Sequence, residues 1–226
     1  LFHVRPDNRY VDHVKTLGSA LFAASAFKEF LESPRTEIAN FFKLVGPTFM
    51  GWIGPREGSY VPKAPYLALQ MYSSHFGSVL VGSSVKCPAY DTPPIGLMAG
   101  VENVPYLDVV ASRSGDGLKV YIMAVNKHLD SPIRARITLK GFGPAPEGVA
   151  WTLNGSGIDA NTGTELAEAP GVTWATQAEA EPDPRFSAGG PGEVGISVSK
   201  VAGVAETFSY TFPAHSVTSL ELRRSD

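Results

Sequence analysis

Four arrangements would let a chain such as this one do chemistry: paired carboxylates, a nucleophile backed by histidine and acid, a thiolate metal cluster, or a glycine-rich phosphate loop. The carboxylates that stand near apolar elements are Glu29, Glu32, Glu37 and Glu57. Glu29 and Glu32 fall at the end of an amphipathic segment on its polar side, Glu37 opens an apolar run, and Glu57 sits among Gly and Pro. All four read as solvated surface groups, the usual state of an unpaired glutamate. His3, His13, His75, His128 and His215 belong to no nucleophile-elbow pattern, and His13 and His75 lie at helical spacing among apolar residues, which gives them packing or surface roles. Cys87 is the single cysteine, so neither an intrachain disulfide nor a thiolate cluster can form. Gly115-Asp-Gly117 and Gly189-Gly-Pro-Gly192 lack the strand-to-helix setting of a phosphate loop. Asn154-Gly-Ser156 is a formal glycosylation sequon, of a kind that also arises by chance.

The elements that would carry any site fall into two halves. In residues 10–32, Val14, Leu17, Leu21, Ala24, Phe27 and Leu31 recur at steps of three and four. That spacing predicts a helix capped by Asp12 and stopped by Ser33-Pro34. Residues 37–45 form a short apolar run before Gly46-Pro47, as expected of a strand buried on both faces. Beyond a Gly- and Pro-rich loop, Pro65 can open a second helix that reaches Phe76 and ends at Gly77. Helix, strand, loop and helix make α/β order, yet two helices cannot cover one strand or pair its edges. More sheet is needed than these residues supply.

From residue 79 onward short β-rich runs follow one another at 79–85, 107–112, 118–126, 133–139, 149–153, 196–201, 208–212 and 217–222. Their spacing is that of an antiparallel sandwich. Apolar and polar residues alternate from Ile133 to Leu139, as in a sheet with one wet face, and Gly115-Asp-Gly117 suits a hairpin turn. Residues 167–192, rich in Pro, Gly, Ala and Glu, read as a long surface loop. The fold class is therefore an α/β part over residues 1–78 followed by an all-β antiparallel sandwich over residues 79–226.

Composition narrows the function. The 226 residues are 43% hydrophobic and 18% charged, which is globular, and a net charge of -3 offers nucleic acid no electrostatic attraction. The apolar stretch at 17–31 is interrupted by Lys28 and Glu29 before it could span a bilayer. The start, Leu-Phe-His-Val-Arg-Pro, carries neither an initiator Met nor the zones of a signal peptide, which suggests that the native start lies further upstream. The compartment is therefore unknown, although one cysteine is compatible with cytoplasm.

Three segments, read in order, carry a resemblance: Ile38-Ala-Asn-Phe-Phe-Lys-Leu-Val45, Val104-Pro-Tyr-Leu-Asp-Val-Val-Ala111, and Val120-Tyr-Ile-Met-Ala-Val-Asn-Lys127 with Leu129-Asp130. Together with the closing Phe212-Pro-Ala-His-Ser-Val-Thr-Ser-Leu-Glu-Leu222, they resemble the C-terminal third of family 51 glycoside hydrolases, the α-L-arabinofuranosidases. The resemblance implies a (β/α)8 barrel whose last part is residues 1–78, with residues 11–32 as the helix after the seventh strand and residues 37–45 as the eighth strand. Residues 79–226 would be the C-terminal sandwich. The acid/base and nucleophilic glutamates of such enzymes would both lie upstream of Leu1, leaving no catalytic residue in this chain. Retention needs two carboxyl groups about 5–5.5 Å apart, and no pair here is placed for that.

Residues leaving the eighth strand face the active end of such a barrel. The resemblance makes Lys43 and Trp52 the substrate-binding candidates. Lys43 stands where the family usually has a Gln, so its hydrogen bonding to sugar hydroxyls would differ, and it reads equally as a lysine paired with a carboxylate at the barrel rim. Trp52, in Met50-Gly-Trp-Ile-Gly54, could stack on a furanose or plug the core beneath a Gly/Pro loop. The expected ligand is an arabinofuranose-containing saccharide, with no cofactor or metal; the expected partners are the missing barrel segment or a second chain, and further copies of the protein in a homo-oligomer. Neither nucleic acid nor membrane is expected. Two rivals stay open: a noncatalytic carbohydrate-binding or structural sandwich, for which Trp151 and Trp174 are the candidate aromatics, and a glycosidase acting on another furanoside such as D-arabinofuranose.

Overall fold

The computed structural model describes residues 16–41, 43–45, 51–56, 59–161 and 194–225. The chain divides into two compact units, residues 1–70 with 153–196 and residues 71–152 with 197–226.

In the first unit, helix α1 (Leu17–Glu32) buries Leu17, Ala20, Leu21, Ala23 and Ala24, and Ser33 closes it where the sequence places a stop. Thr16, rather than Asp12, is the N-cap: its hydroxyl accepts from the Ser19 amide, and the freed amides of Leu17 and Gly18 donate to the Ala160 and Ile158 carbonyls. Asp12 itself lies outside the described residues. The helix is therefore shorter than the periodicity predicts, because these acceptors satisfy its first turn at Leu17. Strands β1 (Ile53–Arg56) and β2 (Ser59–Pro62) form a hairpin that the Gly/Pro content conceals. In a two-stranded ribbon every strand is an edge, so Pro55 and Pro62 are tolerated.

The described residues of the segment 37–45 do not form the buried strand that its composition suggests. Among the described residues only Val45 pairs, in an isolated parallel bridge with Ile53, while Ile38, Phe41, Leu44 and Val45 are all exposed. The reason is physical: burial on both faces needs strands on both edges and covering helices, and among the described residues pairing reaches the segment only at Leu44 and Val45, from Ile53.

Helix α2 (Ala64–Ser74) leads into the second unit, and the antiparallel spacing then appears as expected. Strands β3 (Val79–Val81), β6 (Leu107–Arg113), β7 (Lys119–Asn126), β9 (Pro144–Asn154), β10 (Gly195–Ala202) and β12 (Ser216–Arg224) form one sheet in the order β10-β9-β12-β7-β6-β3. Strands β8 (Ile133–Thr138) and β11 (Thr207–Phe212) make a second, two-stranded layer. The residues between them form the core, including Leu107, Ile122, Phe142, Phe208, Phe212, Leu220 and Leu222. Most of the described structure is thus antiparallel sheet arranged as a sandwich. The hairpin β4 (Ala89–Thr92) with β5 (Val101–Pro105) stands as a separate ribbon.

Local chemistry fixes the register. The Gly115-Asp-Gly117 turn joins β6 to β7: Gly117 takes a φ of 73°, and Asp116 accepts from the Ser114 hydroxyl and the Leu118 amide. These bonds hold the Asp116 carboxyl below the usual range. At the far end of β7, the fully buried Asn126 side chain donates to the carbonyls of Ser131, Phe212 and Pro213 and accepts from the His128 amide. One amide thereby locks the exit of β7 to the link between β11 and β12.

Candidate functional site

The two residues singled out for substrate binding lie on adjacent stretches of backbone. The Ile53 amide donates to the Leu44 carbonyl at 2.8 Å, and the Trp52 carbonyl accepts from the Lys63 amide at 2.8 Å, so Lys43 to Val45 runs beside Trp52 and Ile53. The two side chains differ sharply in environment. Lys43 is exposed. Trp52 is only 9% exposed, stacked on Phe41 at 3.8 Å between ring centroids and met edge-on by Phe27 at 6.0 Å. That is the geometry of an aromatic plug, one face of which is occupied by a protein ring.

Glu29, Glu32 and Glu37 lie at the surface, as the sequence suggests. Lys28 Nζ lies 2.9 Å from Glu29 and 2.8 Å from Glu32, pairs at the solvent surface that contribute little to stability. Glu37 is exposed, and Glu57 lies outside the described residues. Among the described residues no group of three or more His, Cys, Asp or Glu side chains could hold a metal ion. No described helix is long and apolar enough to cross a membrane.

The described histidines are absorbed by stacks and turns. His75 stacks on Trp151 at 3.8 Å, with ring planes 18° apart. His128 lies against Tyr106 at 4.7 Å, and its Nδ1 accepts from the Ser131 amide. His215, at a φ of 39°, closes a turn onto the Leu129 carbonyl. Trp151, one of the two aromatics on which a binding-module reading depends, is thus half-buried under an imidazole rather than open to a saccharide. His3, His13 and Trp174 lie outside the described residues.

Two interactions were not legible in the sequence. Asp108, 8% exposed on β6, pairs with Lys127 at 3.0 Å beside the Tyr90, Tyr106 and His128 rings. Burial, and then the Asp108 charge, push the Tyr90 phenol upward. On the neighbouring strands, Lys119 meets Glu221 at 2.5 Å, and this bond raises the lysine. Both pairs are diagonal: Lys119 stands opposite Arg223, and Asp108 opposite Val125, each two residues from its ion-pair partner, so only a pairing map reveals them.

The described fold defines a class of architecture, an antiparallel sandwich of a six-stranded sheet and a two-stranded layer in the second unit. Comparison with solved structures narrows it. The chain superimposes on an α-L-arabinofuranosidase from Thermotoga maritima, solved as an arabinose complex, with a TM-score of 0.70 and 24% identity over 92% of this chain and 38% of that one. A family 51 α-L-arabinofuranosidase from Thermotoga petrophila gives 0.71 and 23% over 93% and 39%. A family 51 arabinofuranosidase from Xanthomonas axonopodis pv. citri gives 0.65 and 20% over 92% and 36%. The chain therefore folds like a portion of a family 51 arabinofuranosidase and spans under two fifths of the length of these enzymes. No protein-family model matches the chain, and no curated protein does.

Proposed function

We propose that residues 1–226 are the C-terminal portion of a retaining exo-glycosidase that hydrolyses terminal non-reducing α-L-arabinofuranosyl residues from arabinose-containing polysaccharides and oligosaccharides. Residues 1–78 complete a (β/α)8 barrel, residues 79–226 form its sandwich, and both catalytic glutamates come from elsewhere in the polypeptide. The observation that carries this reading is the near-complete overlay of this chain on about 38% of arabinofuranosidase chains. A second supports it: Ile38, Phe41, Leu44 and Val45 are exposed, although the run at 38–45 has the composition of an interior barrel strand. In this reading Lys43 reaches the sugar hydroxyls, and Trp52, stacked on Phe41, meets the sugar only through the small part of its ring left exposed. The protein assembles as a homo-oligomer and needs no cofactor.

The test is hydrolysis of p-nitrophenyl α-L-arabinofuranoside by the native protein, with its intact mass measured on the same sample. Activity in a species well above the mass of 226 residues is the expected result. A folded, inactive native protein of 226 residues would overturn the enzyme reading and favour a sandwich module.

A further inference from the structure

Strands β8 and β11 form a layer with two unlike faces. Ile133, Ala135 and Ile137 of β8 and Phe208, Tyr210 and Phe212 of β11 point inward and pack on the core of the second unit. Successive side chains of a strand point to opposite sides, so the outward face consists of Arg134, Arg136 and Thr138 beside Thr207, Ser209 and Thr211, all exposed. The register sets Arg134 against Thr211, Arg136 against Ser209, and Thr138 against Thr207, whose hydroxyls lie 3.2 Å apart. Each arginine therefore has a hydroxyl residue as its cross-strand neighbour, and the two arginines stand about 7 Å from each other along one strand.

This face looks away from the rest of the second unit. Strand β12 of the six-stranded sheet is buried on both sides: Leu220 and Leu222 join the core shared with β8 and β11, whereas Ser219 turns the other way and donates to the carbonyl of His75, just past α2. The six-stranded sheet thus has the two-stranded layer on one side and the end of α2 on the other.

What the face carries, and what it omits, selects a ligand. Among the described residues no acidic side chain pairs with Arg134 or Arg136, so both guanidinium forks keep their donors. Neither strand contains Asp or Glu, and Glu206, which precedes β11, stands at the end away from Arg134. A carboxylate accepts two parallel hydrogen bonds from one guanidinium. Ser and Thr hydroxyls both donate and accept, as sugar hydroxyls require. No aromatic ring or large aliphatic side chain stands on the face. Nucleic-acid bases would have nothing to stack on, and an acidic protein would find no apolar or aromatic anchor of the kind that dominates protein interfaces.

We propose that the outer face of β8 and β11 binds a uronate-bearing polysaccharide laid along the strands, its carboxylates held by Arg134 and Arg136 and its hydroxyls by Ser209 and Thr211. The inference goes beyond the proposed function, because binding here involves no glycosidic cleavage and stands on this face alone.

The probe is polygalacturonate, titrated calorimetrically into the native protein, with its fully methyl-esterified form as the neutral counterpart. The acid form should bind, and more weakly as salt rises. Esterification of the polymer, and the double variant Arg134→Ser/Arg136→Ser, should each weaken binding by about tenfold or more. Arg134→Lys/Arg136→Lys keeps the charge without the fork and should recover only part of that loss. Polygalacturonate that does not bind, or that binds equally after esterification or after loss of both arginines, overturns the proposal. Tighter binding of polyglutamate or of oligothymidylate would make an acidic protein or a nucleic acid the occupant and overturn it as well. Both arginines are exposed, so the urea midpoint of the serine variant should be unchanged, and the esterified polymer tests the charge with no substitution at all. Activity is read separately on p-nitrophenyl α-L-arabinofuranoside, which carries no carboxylate. An active enzyme indifferent to polygalacturonate sinks only this inference, whereas binding by an inactive protein sinks only the functional reading.

Discussion

At the scale of single residues, the described structure gives histidine a structural task. His75 follows α2, its carbonyl accepts from the Ser219 hydroxyl at 2.6 Å, and its ring stacks on Trp151, whose buried Nε1 finds no acceptor among the described residues. Burial holds the imidazole below its ordinary value of 6.5, and Glu221, itself paired with Lys119, opposes the shift. The folded state therefore prefers the neutral ring, whereas the unfolded chain takes up a proton near the ordinary value. Stability from this group is complete above about pH 6.5 and is lost as pH falls toward and through the lower folded value, where the difference in proton uptake ends. Urea midpoints should fall as pH drops below about 6.5. His75→Phe, which keeps a ring on Trp151 but cannot titrate, should remove that part of the dependence. An unchanged pH slope in the variant would mean that the acid sensitivity arises elsewhere.

At the scale of elements, close approach of backbones decides more than hydrophobicity does. Gly148 on β9 is buried, and a Cβ placed there would lie 2.7 Å from Leu222 Cδ2 and 3.0 Å from the Glu221 carbonyl oxygen, both on β12. The leucine tip can turn aside, but the carbonyl is fixed in the sheet. Gly148→Ala should cost about 1–3 kcal/mol in urea unfolding. Gly115→Ala, whose nearest contact would be the Ser78 hydroxyl at 3.8 Å, should stay within about 0.5 kcal/mol. Similar losses for the two variants would show that packing against β12 is not the cause. The sandwich strands were legible because alternation and turn residues are local signals: β8 alternates as read, and the turn after β6 has the glycine at positive φ that its sequence calls for. The ribbons β1–β2 and β4–β5 were missed because Pro55, Pro62 and Pro105 mimic loop composition, although an isolated ribbon accepts proline. Nothing local marks Asp108 with Lys127, or Lys119 with Glu221, because each pair depends on which strands become neighbours. Glu29, Glu32 and Glu37 are surface groups as read, whereas nothing in the composition of residues 37–45 shows whether neighbouring strands are at hand to bury them.

At the scale of the whole molecule, that apolar run is the clearest sign of interactions beyond the described residues. Ile38 is 77% exposed, Phe41 47%, Leu44 48% and Val45 44%, and the described pairing there is the Leu44 carbonyl with the Ile53 amide and the Val45 bridge. Solvated side chains of this kind are singly unremarkable, but a run of them on one short segment marks an interaction site. If the segment is an interior strand of a barrel completed by the rest of the polypeptide, its amides gain partners on both sides there, which the described residues do not show. Hydrogen–deuterium exchange resolved by peptide separates the two states. Residues 37–45 should exchange rapidly in the 226-residue chain and at least about a hundredfold more slowly in the longer polypeptide. Strand β7, paired on both edges with β6 and β12, should be slow in both and serves as the internal standard. Fast exchange of residues 37–45 in an active, longer enzyme would remove them from the barrel sheet. Lys43 and Trp52 would then lose their place at the sugar, because the end of that strand is what would carry them to it.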